Sequence, residues 1–200
     1  GITSTSLGTT SVGLPYTFTP AATGSPSLWT ITGLPAGLTY NSSTGAINGK
    51  VSVAITNPGG TDFTVAVKAK NILGQGPARN LVLHVNPLPA NAINSWKGLL
   101  ERNPDVNGSL GGRFELAIAA SGNYTGKLQR GTHTSNFAGL VTLNLTGPIV
   151  TLSQSIPAIG GLPAVTLNVT IDPVAQTITA STTDGVSTAS ITAWRDNLWA

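Results

Sequence analysis

The chain has 200 residues, which is enough for one large β domain or for two domains of about 100 residues each. Charged residues make up 8% of it, against about 25% in an ordinary soluble protein, and Lys and Arg outnumber Asp and Glu by 10 to 7. With 40% hydrophobic residues the chain is not a disordered tail, and without cysteine it holds no disulfide, zinc-thiolate site or thiol nucleophile.

The basic residues are spread along the chain instead of forming a patch. Residues 1–87 carry four Lys and Arg side chains against Asp62 alone, whereas residues 95–200 balance six basic groups with six acidic ones. No three basic residues are adjacent, although nucleic-acid binders concentrate them along one face. Apolar stretches fall far short of the ~18 residues of a membrane helix. We therefore expect neither nucleic-acid binding nor a membrane span.

Strand patterns dominate the first half of the chain. Phe63, Val65 and Val67 alternate with polar residues, which is the period of a half-buried strand. Segments rich in β-branched and aromatic residues between turn formers predict strands at Val12–Pro20, Thr61–Ala69 and Leu81–Val85.

A proline-rich segment divides the chain. Residues 87–94 contain two prolines, which lack a backbone donor and disfavour a continuing central strand. The balance of charge also changes here. We predict a first domain at residues 1–86, a short semi-rigid linker at 87–94 and a second domain at 95–200.

The second half reads as a succession of short antiparallel strands separated by Gly, Asn and Asp turns, such as the hairpin turn at residues 121–123. Strands are predicted at Gly112–Ala120, Tyr124–Arg130, Phe137–Leu145, Ile149–Gln154, Ala164–Ile171, Thr177–Ser181 and Val186–Trp194. Weak helical periodicity near Ser95–Arg102 predicts at most a turn or two of helix. About eight strands must hide their edges by closing into a barrel or packing as a sandwich. The predicted class is all-β.

Residues 34–49, LPAGLTYNSSTGAING, form the most distinctive segment of the chain. The turn formers Pro35 and Gly37 place Leu34 and Leu38 inward, and Gly45 closes a second turn before the next strand. The segment resembles the LPxGLxxxxxTGxIxG signature of Ig modules in bacterial surface proteins, which are akin to dystroglycan-type, cadherin-like domains. The resemblance covers residues 2–86 and implies an Ig/cadherin-like β-sandwich.

Cadherin-like domains often bind calcium, but the resemblance carries no calcium site to this chain. A calcium ion takes six to eight oxygen ligands, usually including several carboxylates, and the first domain has only Asp62. We expect no metal and no cofactor.

The second domain is similar, more weakly, to uncharacterised β-rich modules of secreted bacterial proteins. The shared features are strand and turn segments such as Ser121–Leu128 and Ala193–Arg195, and they imply no chemistry. Surfaces with few charges and abundant Thr, Ser, Asn and Gly are common in exported bacterial β-proteins. We therefore expect a secreted or cell-surface protein.

Candidates for catalysis are few. A glycosidase needs two neighbouring carboxylates, and Glu101, Asp105 and Glu115 are the available ones, but Asp105 lies in a predicted turn and Glu115 on the polar side of a strand. His84 falls in an apolar strand and His133 in a loop or strand end, where packing or surface roles are expected. No residue is assigned a catalytic role.

Aromatic side chains are the candidates for ligand binding, because sugar-binding β-modules stack an aromatic face on the pyranose ring. Trp29 reads as a core anchor of the first domain. Sugar contacts are predicted for four aromatic residues of the second domain, of which the three tryptophans lie near its two ends, with core packing as the alternative: Trp96, Tyr124, Trp194 and Trp199.

The sequence thus favours a noncatalytic extracellular or cell-surface module that acts as a structural spacer or adhesion unit. The alternative is a carbohydrate-binding module that uses exposed Trp and Tyr side chains of the second domain. The expected partner is a glycan or another surface protein, and the expected state is a monomer.

Overall fold

The computed structural model describes residues 1–147 and 149–196, and this part of the chain is built from β-strands joined by short turns. The chain divides into two compact units, Gly1–Leu88 and Pro89–Ala200. Residues 89–94 enter the second unit through a single 3-10 turn at Ala90–Ala92. Within the described residues, no helix has the length and apolar character needed to cross a membrane.

The first unit is a β-sandwich, as the sequence predicts. One sheet has the order β1-β8-β6-β3, with β7 paired to the end of β6, and the other has the order β2-β5-β4. The strands are β1 (Gly8–Ser11), β2 (Pro15–Phe18), β3 (Leu28–Thr32), β4 (Leu38–Tyr40), β5 (Ile47–Lys50), β6 (Thr61–Asn71), β7 (Gly74–Gln75) and β8 (Arg79–Asn86).

The glycine signature of this unit works through backbone geometry. Gly45 has a φ of +74° and lies directly against the indole ring of Trp29, where a Cβ atom would contact the ring. Gly37 has a φ of +91° and packs against the backbone of Lys50. Trp29 is buried, which confirms its expected role as a core anchor.

The strand predicted at Val12–Pro20 is wrong in its extent. The chain turns at Gly13, whose φ is +76°, so that β1 ends before the turn and β2 begins after it. The two strands belong to different sheets. The residues predicted to form one strand therefore contribute to both sheets of the sandwich.

The second unit is one antiparallel sheet that curls into a nearly closed barrel, which decides between the two predicted architectures. Its order is β12-β11-β10-β9-β17-β16-β15-β14-β13. The strands are β9 (Ser95–Leu100), β10 (Gly112–Ile118), β11 (Asn123–Arg130), β12 (His133–Leu140), β13 (Thr142–Asn144), β14 (Ile149–Ile156), β15 (Val165–Asp172), β16 (Thr177–Thr183) and β17 (Thr188–Arg195).

The helix predicted near Ser95–Arg102 is wrong, because most of this segment forms β9. Trp96, Gly98 and Leu100 are buried, while the residues between them are exposed, so the segment has the two-residue period of a strand. The strand pairs with β10 on one side and with β17 on the other. It thereby joins the beginning of the unit to its end.

A single helical turn, α1 (Pro104–Asn107), follows β9. Asn103 caps it by accepting hydrogen bonds from the backbone N–H groups of Asp105 and Val106 at 2.9 and 3.0 Å. The segment predicted as one strand at Phe137–Leu145 is two strands, β12 and β13. They are separated at the buried Val141, whose N–H donates to the carbonyl of Gly122.

Candidate functional site

Two of the predicted sugar-contacting residues lie in the core of the barrel. Trp96 is 1% exposed, and the guanidinium of Arg195 lies 5.7 Å from its ring centroid. Tyr124 is 4% exposed, and its hydroxyl donates to Oε1 of Gln154 at 3.1 Å. Burial raises the pKa of the Tyr124 hydroxyl. Because neither ring presents a face to solvent, the expectation of sugar stacking is corrected to core packing for these two residues.

Trp194 remains as the exposed aromatic of the set. It lies on β17, points to the outer face of the sheet, and is 37% exposed. The predicted contact at Trp199 lies outside the described residues. The candidate site is therefore built around the outer face near Trp194.

The strand register aligns five side chains across the outer face, and we call this row the ridge. Each pair of neighbours is directly opposite in the sheet, where Cβ atoms stand about 5 Å apart. The ridge crosses five strands in the order Asn136, Lys127, Glu115, Lys97 and Trp194.

A second row of outward side chains lies beside the ridge, displaced from it by two residues along each of the strands β9 to β12. We call this row the floor. Its members are short and exposed, and they lie across four strands in the order Ala138, Thr125, Ala117 and Ser95. The residues between ridge and floor, such as Leu116 and Phe137, turn their side chains into the core. The difference in side-chain length leaves a groove of about 540 Å³ along the floor, within the range of small-ligand sites. We call it the outer groove.

The charges that line the outer groove compensate one another. Lys97 Nζ lies 2.8 Å from Oδ1 of Asp196, and this contact raises the pKa of the lysine. Glu115 stands between Lys97 and Lys127 in the ridge. Two cations and two carboxylates thus share the groove, together with the amide of Asn136 and the hydroxyls of the floor. This arrangement can donate and accept hydrogen bonds without a net charge.

The carboxylates considered for catalysis have other contacts. Glu101 Oε2 accepts a hydrogen bond from the backbone N–H of Ser190 at 3.1 Å. Asp105 Oδ2 accepts one from the hydroxyl of Ser187 at 2.7 Å. Glu115 projects outward on β10, as its alternation predicts. Among residues 1–147 and 149–196, no three His, Asp or Glu side chains form a group that could hold a metal ion.

The two histidines have packing or surface roles. His84 Nδ1 lies 2.6 Å from Oδ1 of Asp62 on the neighbouring strand of the sandwich. His133 begins β12 in the barrel, with its ring against Gly160.

Arg130 is the most deeply buried charged group of the described residues, and its contacts are structural. Its side chain is 0% exposed, and its two terminal nitrogens donate to the carbonyls of Pro163 at 2.6 Å and Pro157 at 2.9 Å. Burial lowers the pKa of its guanidinium. The side chain ties β11 to both ends of the loop between β14 and β15.

Comparison with known families bears on the first unit. Residues 1–77 match the family model described as Putative Ig domain. The first unit is an Ig-like module. Ig-like domains are generally noncatalytic, so the match suggests a structural or adhesion role. No curated protein matches the chain.

The sequence patterns did not predict the outer groove, although its residues occupy the outward positions of strands whose alternation is visible in the sequence. Lys127 and Asn136 carry no motif, and Glu115 was considered only as a catalytic acid. The hairpin turn at residues 121–123 could have aligned Glu115 with Lys127. The pairing of Glu115 with Lys97 could not be predicted from the sequence, because it depends on the path that the chain takes between β9 and β10, through α1.

Proposed function

We propose that this chain is a noncatalytic segment of an extracellular or cell-surface protein, in which it acts as a spacer or an adhesion unit. One observation carries this proposal: the distinctive residues, including Trp29, Trp96, Tyr124 and Arg130, serve turns and packing. The Ig-like module supports it, because such modules build adhesive and structural proteins.

Surface labelling tests this proposal. An antibody raised against the chain should label intact cells of the source organism, or should detect the protein in the medium. Labelling that requires permeabilised cells would contradict an extracellular role. A cytoplasmic marker labelled in parallel shows that the cells are intact.

A second candidate function is carbohydrate binding, which the outer groove favours. The groove has charged and hydroxyl-bearing side chains along a largely apolar lining, and the exposed indole of Trp194 lies next to it, opposite Lys97. Hydrogen-bonding side chains and an aromatic face are the two elements of sugar recognition. Sugar binding would give an adhesion unit its partner. The core positions of Trp96 and Tyr124 restrict this candidate to Trp194, the groove and Trp199.

A glycan array tests the second candidate. The unsubstituted chain should bind a subset of glycans, and Trp194→Ala should weaken that binding about 5- to 10-fold, the size of one aromatic stacking contact of ~1 kcal/mol. Trp199→Ala, measured in parallel, tests the sugar contact that the sequence predicts for Trp199. Leu99→Ala is the control, because Leu99 is an exposed apolar side chain on the same outer face but has no aromatic ring to stack on a sugar. Binding that survives Trp194→Ala unchanged contradicts a stacking role for this ring.

A further inference from the structure

We propose that the outer groove takes an uncharged oligosaccharide chain and discriminates against uronic-acid and sulfated glycans. This inference rests on the carbohydrate-binding candidate above and names the class of ligand. It is carried by three features of the groove: its charge balance, the chemistry of its floor and its length.

The charge balance works against an anionic ligand. Both lysines of the groove have a carboxylate beside them: Glu115 is opposite Lys127, and Lys97 stands between Glu115 and Asp196. A carboxylate or sulfate that approached either lysine would also approach Glu115 or Asp196, and like charges repel. A neutral hydroxyl meets no such repulsion, and it can accept from a lysine while donating to a carboxylate.

The floor alternates small apolar and hydroxyl-bearing side chains. The methyl groups of Ala117 and Ala138 lie among the hydroxyls of Ser95 and Thr125. A pyranose has the same mixture, with C–H groups on its faces and hydroxyls at its edges. The short side chains also leave the sheet accessible along the whole floor.

The length of the groove selects a chain over a single sugar. The floor crosses β9, β10, β11 and β12, and three spacings of about 4.8 Å between strands give about 14 Å. Trp194 extends the ridge by one further strand, β17. The indole lies beside Lys97, outside the groove lining, and Asp196 lines the groove next to the same lysine.

Calorimetric titration of the full chain with two sets of soluble oligosaccharides tests this inference. The neutral set contains fragments of glucan, mannan, xylan and galactan, and the acidic set contains fragments of polygalacturonate, hyaluronan and heparin. At least one neutral chain should bind, 10-fold or more tightly than any acidic one. Its Kd should change less than 2-fold between 0.05 and 0.5 M NaCl, because salt screens interactions between charges.

Two matched variants locate the binding. Ala117→Trp places a large ring on the exposed floor without entering the core, and it should abolish binding. Thr192→Trp adds the same ring to the outer face of β17, at a residue outside the groove lining, and it should leave the Kd within 2-fold. Circular dichroism of both variants should match that of the unsubstituted chain.

The possible failures can be distinguished. One such result is binding of acidic chains that is lost at high salt and is blocked by Ala117→Trp. That result would support the groove as a carbohydrate site but would contradict the proposed preference for uncharged oligosaccharides. Binding that Ala117→Trp leaves unchanged would overturn the groove as the site. Failure of every oligosaccharide to bind would overturn the carbohydrate-binding candidate itself.

Discussion

At the scale of single residues, the Ig-like module depends on glycines that bring strands and rings into close contact. Gly45 combines a positive φ with direct packing against Trp29, so two independent constraints exclude a side chain. The sequence motif indicated the turn at this position. It could not indicate the contact with Trp29, because that contact joins the turn before β5 to a residue of β3.

Gly45→Ala should destabilise the protein by about 2–5 kcal/mol. A left-handed backbone costs a residue with a Cβ atom about 1–2 kcal/mol, and forcing the indole to move adds about 1–3 kcal/mol. Gly8→Ala is the control, because Gly8 has a similar φ of +79° with nothing near the added Cβ atom. Urea unfolding followed by circular dichroism measures both. Equal losses in the two variants would contradict the contribution of the ring contact.

Arg130 supports the loop between β14 and β15 by a pair of charged hydrogen bonds. Arg130→Met should lower the free energy of unfolding by about 3–6 kcal/mol, since hydrogen bonds to charged groups contribute about 1.5–3 kcal/mol each and two carbonyls lose their donor. Arg130→Lys should recover part of this, because one ammonium cannot reproduce the planar fork of the guanidinium. Urea unfolding gives the free energies, and faster amide exchange in residues 158–162 should accompany the loss. Unchanged exchange in Arg130→Met would show that the loop does not depend on this side chain.

At the scale of elements, Tyr16 links β2 to the segment before β1. Its hydroxyl donates to the carbonyl of Leu7 at 2.7 Å, and burial raises the pKa of Tyr16 to about 12. The fold therefore favours the neutral phenol. Its contribution to stability is complete below pH 10, the ordinary pKa of tyrosine, and is lost as the pH rises toward 12.

The free energy of unfolding should accordingly fall between pH 10 and pH 12, and Tyr16→Phe should reduce the slope of that fall. Lysines also titrate in this range, but they are the same in both proteins, so the difference between the two curves isolates Tyr16. Urea unfolding at half-unit pH steps measures it. Parallel curves for the two proteins would contradict a raised pKa.

The alternation of residues predicted most strands of the barrel but failed at β9. The segment is short, and Trp96, Leu99 and Leu100 have spacings that also suit a helix. Pairing on both sides decides in favour of a strand, because β10 and β17 supply its backbone partners. The ridge depends on the same pairing, and local patterns therefore could not predict it.

At the scale of the whole molecule, the two units each enclose a buried apolar core. We propose that they are independent folding domains, with the boundary close to the predicted linker. Residues 1–88 contain a single tryptophan, Trp29, which is buried and can report on the folding of the Ig-like module.

Residues 1–88 and 89–200, expressed separately, should each unfold in one cooperative transition in urea. The emission of Trp29 in the first fragment should shift to longer wavelength at the same urea concentration at which circular dichroism is lost. Non-coincident transitions, or a fragment without a cooperative transition, would contradict independent folding. The full chain, unfolded under the same conditions, is the reference.

By itself, the sequence determined the all-β class, the Ig-like module and most of the strands, because side-chain alternation and turn chemistry are local properties. The tertiary structure decided that the second unit closes toward a barrel, and that Trp96 and Tyr124 are buried while Trp194 is exposed. It also decided that Lys97, Glu115 and Lys127 form one ridge. These features depend on strand register and on pairing between distant segments, which bring together residues that no local pattern relates.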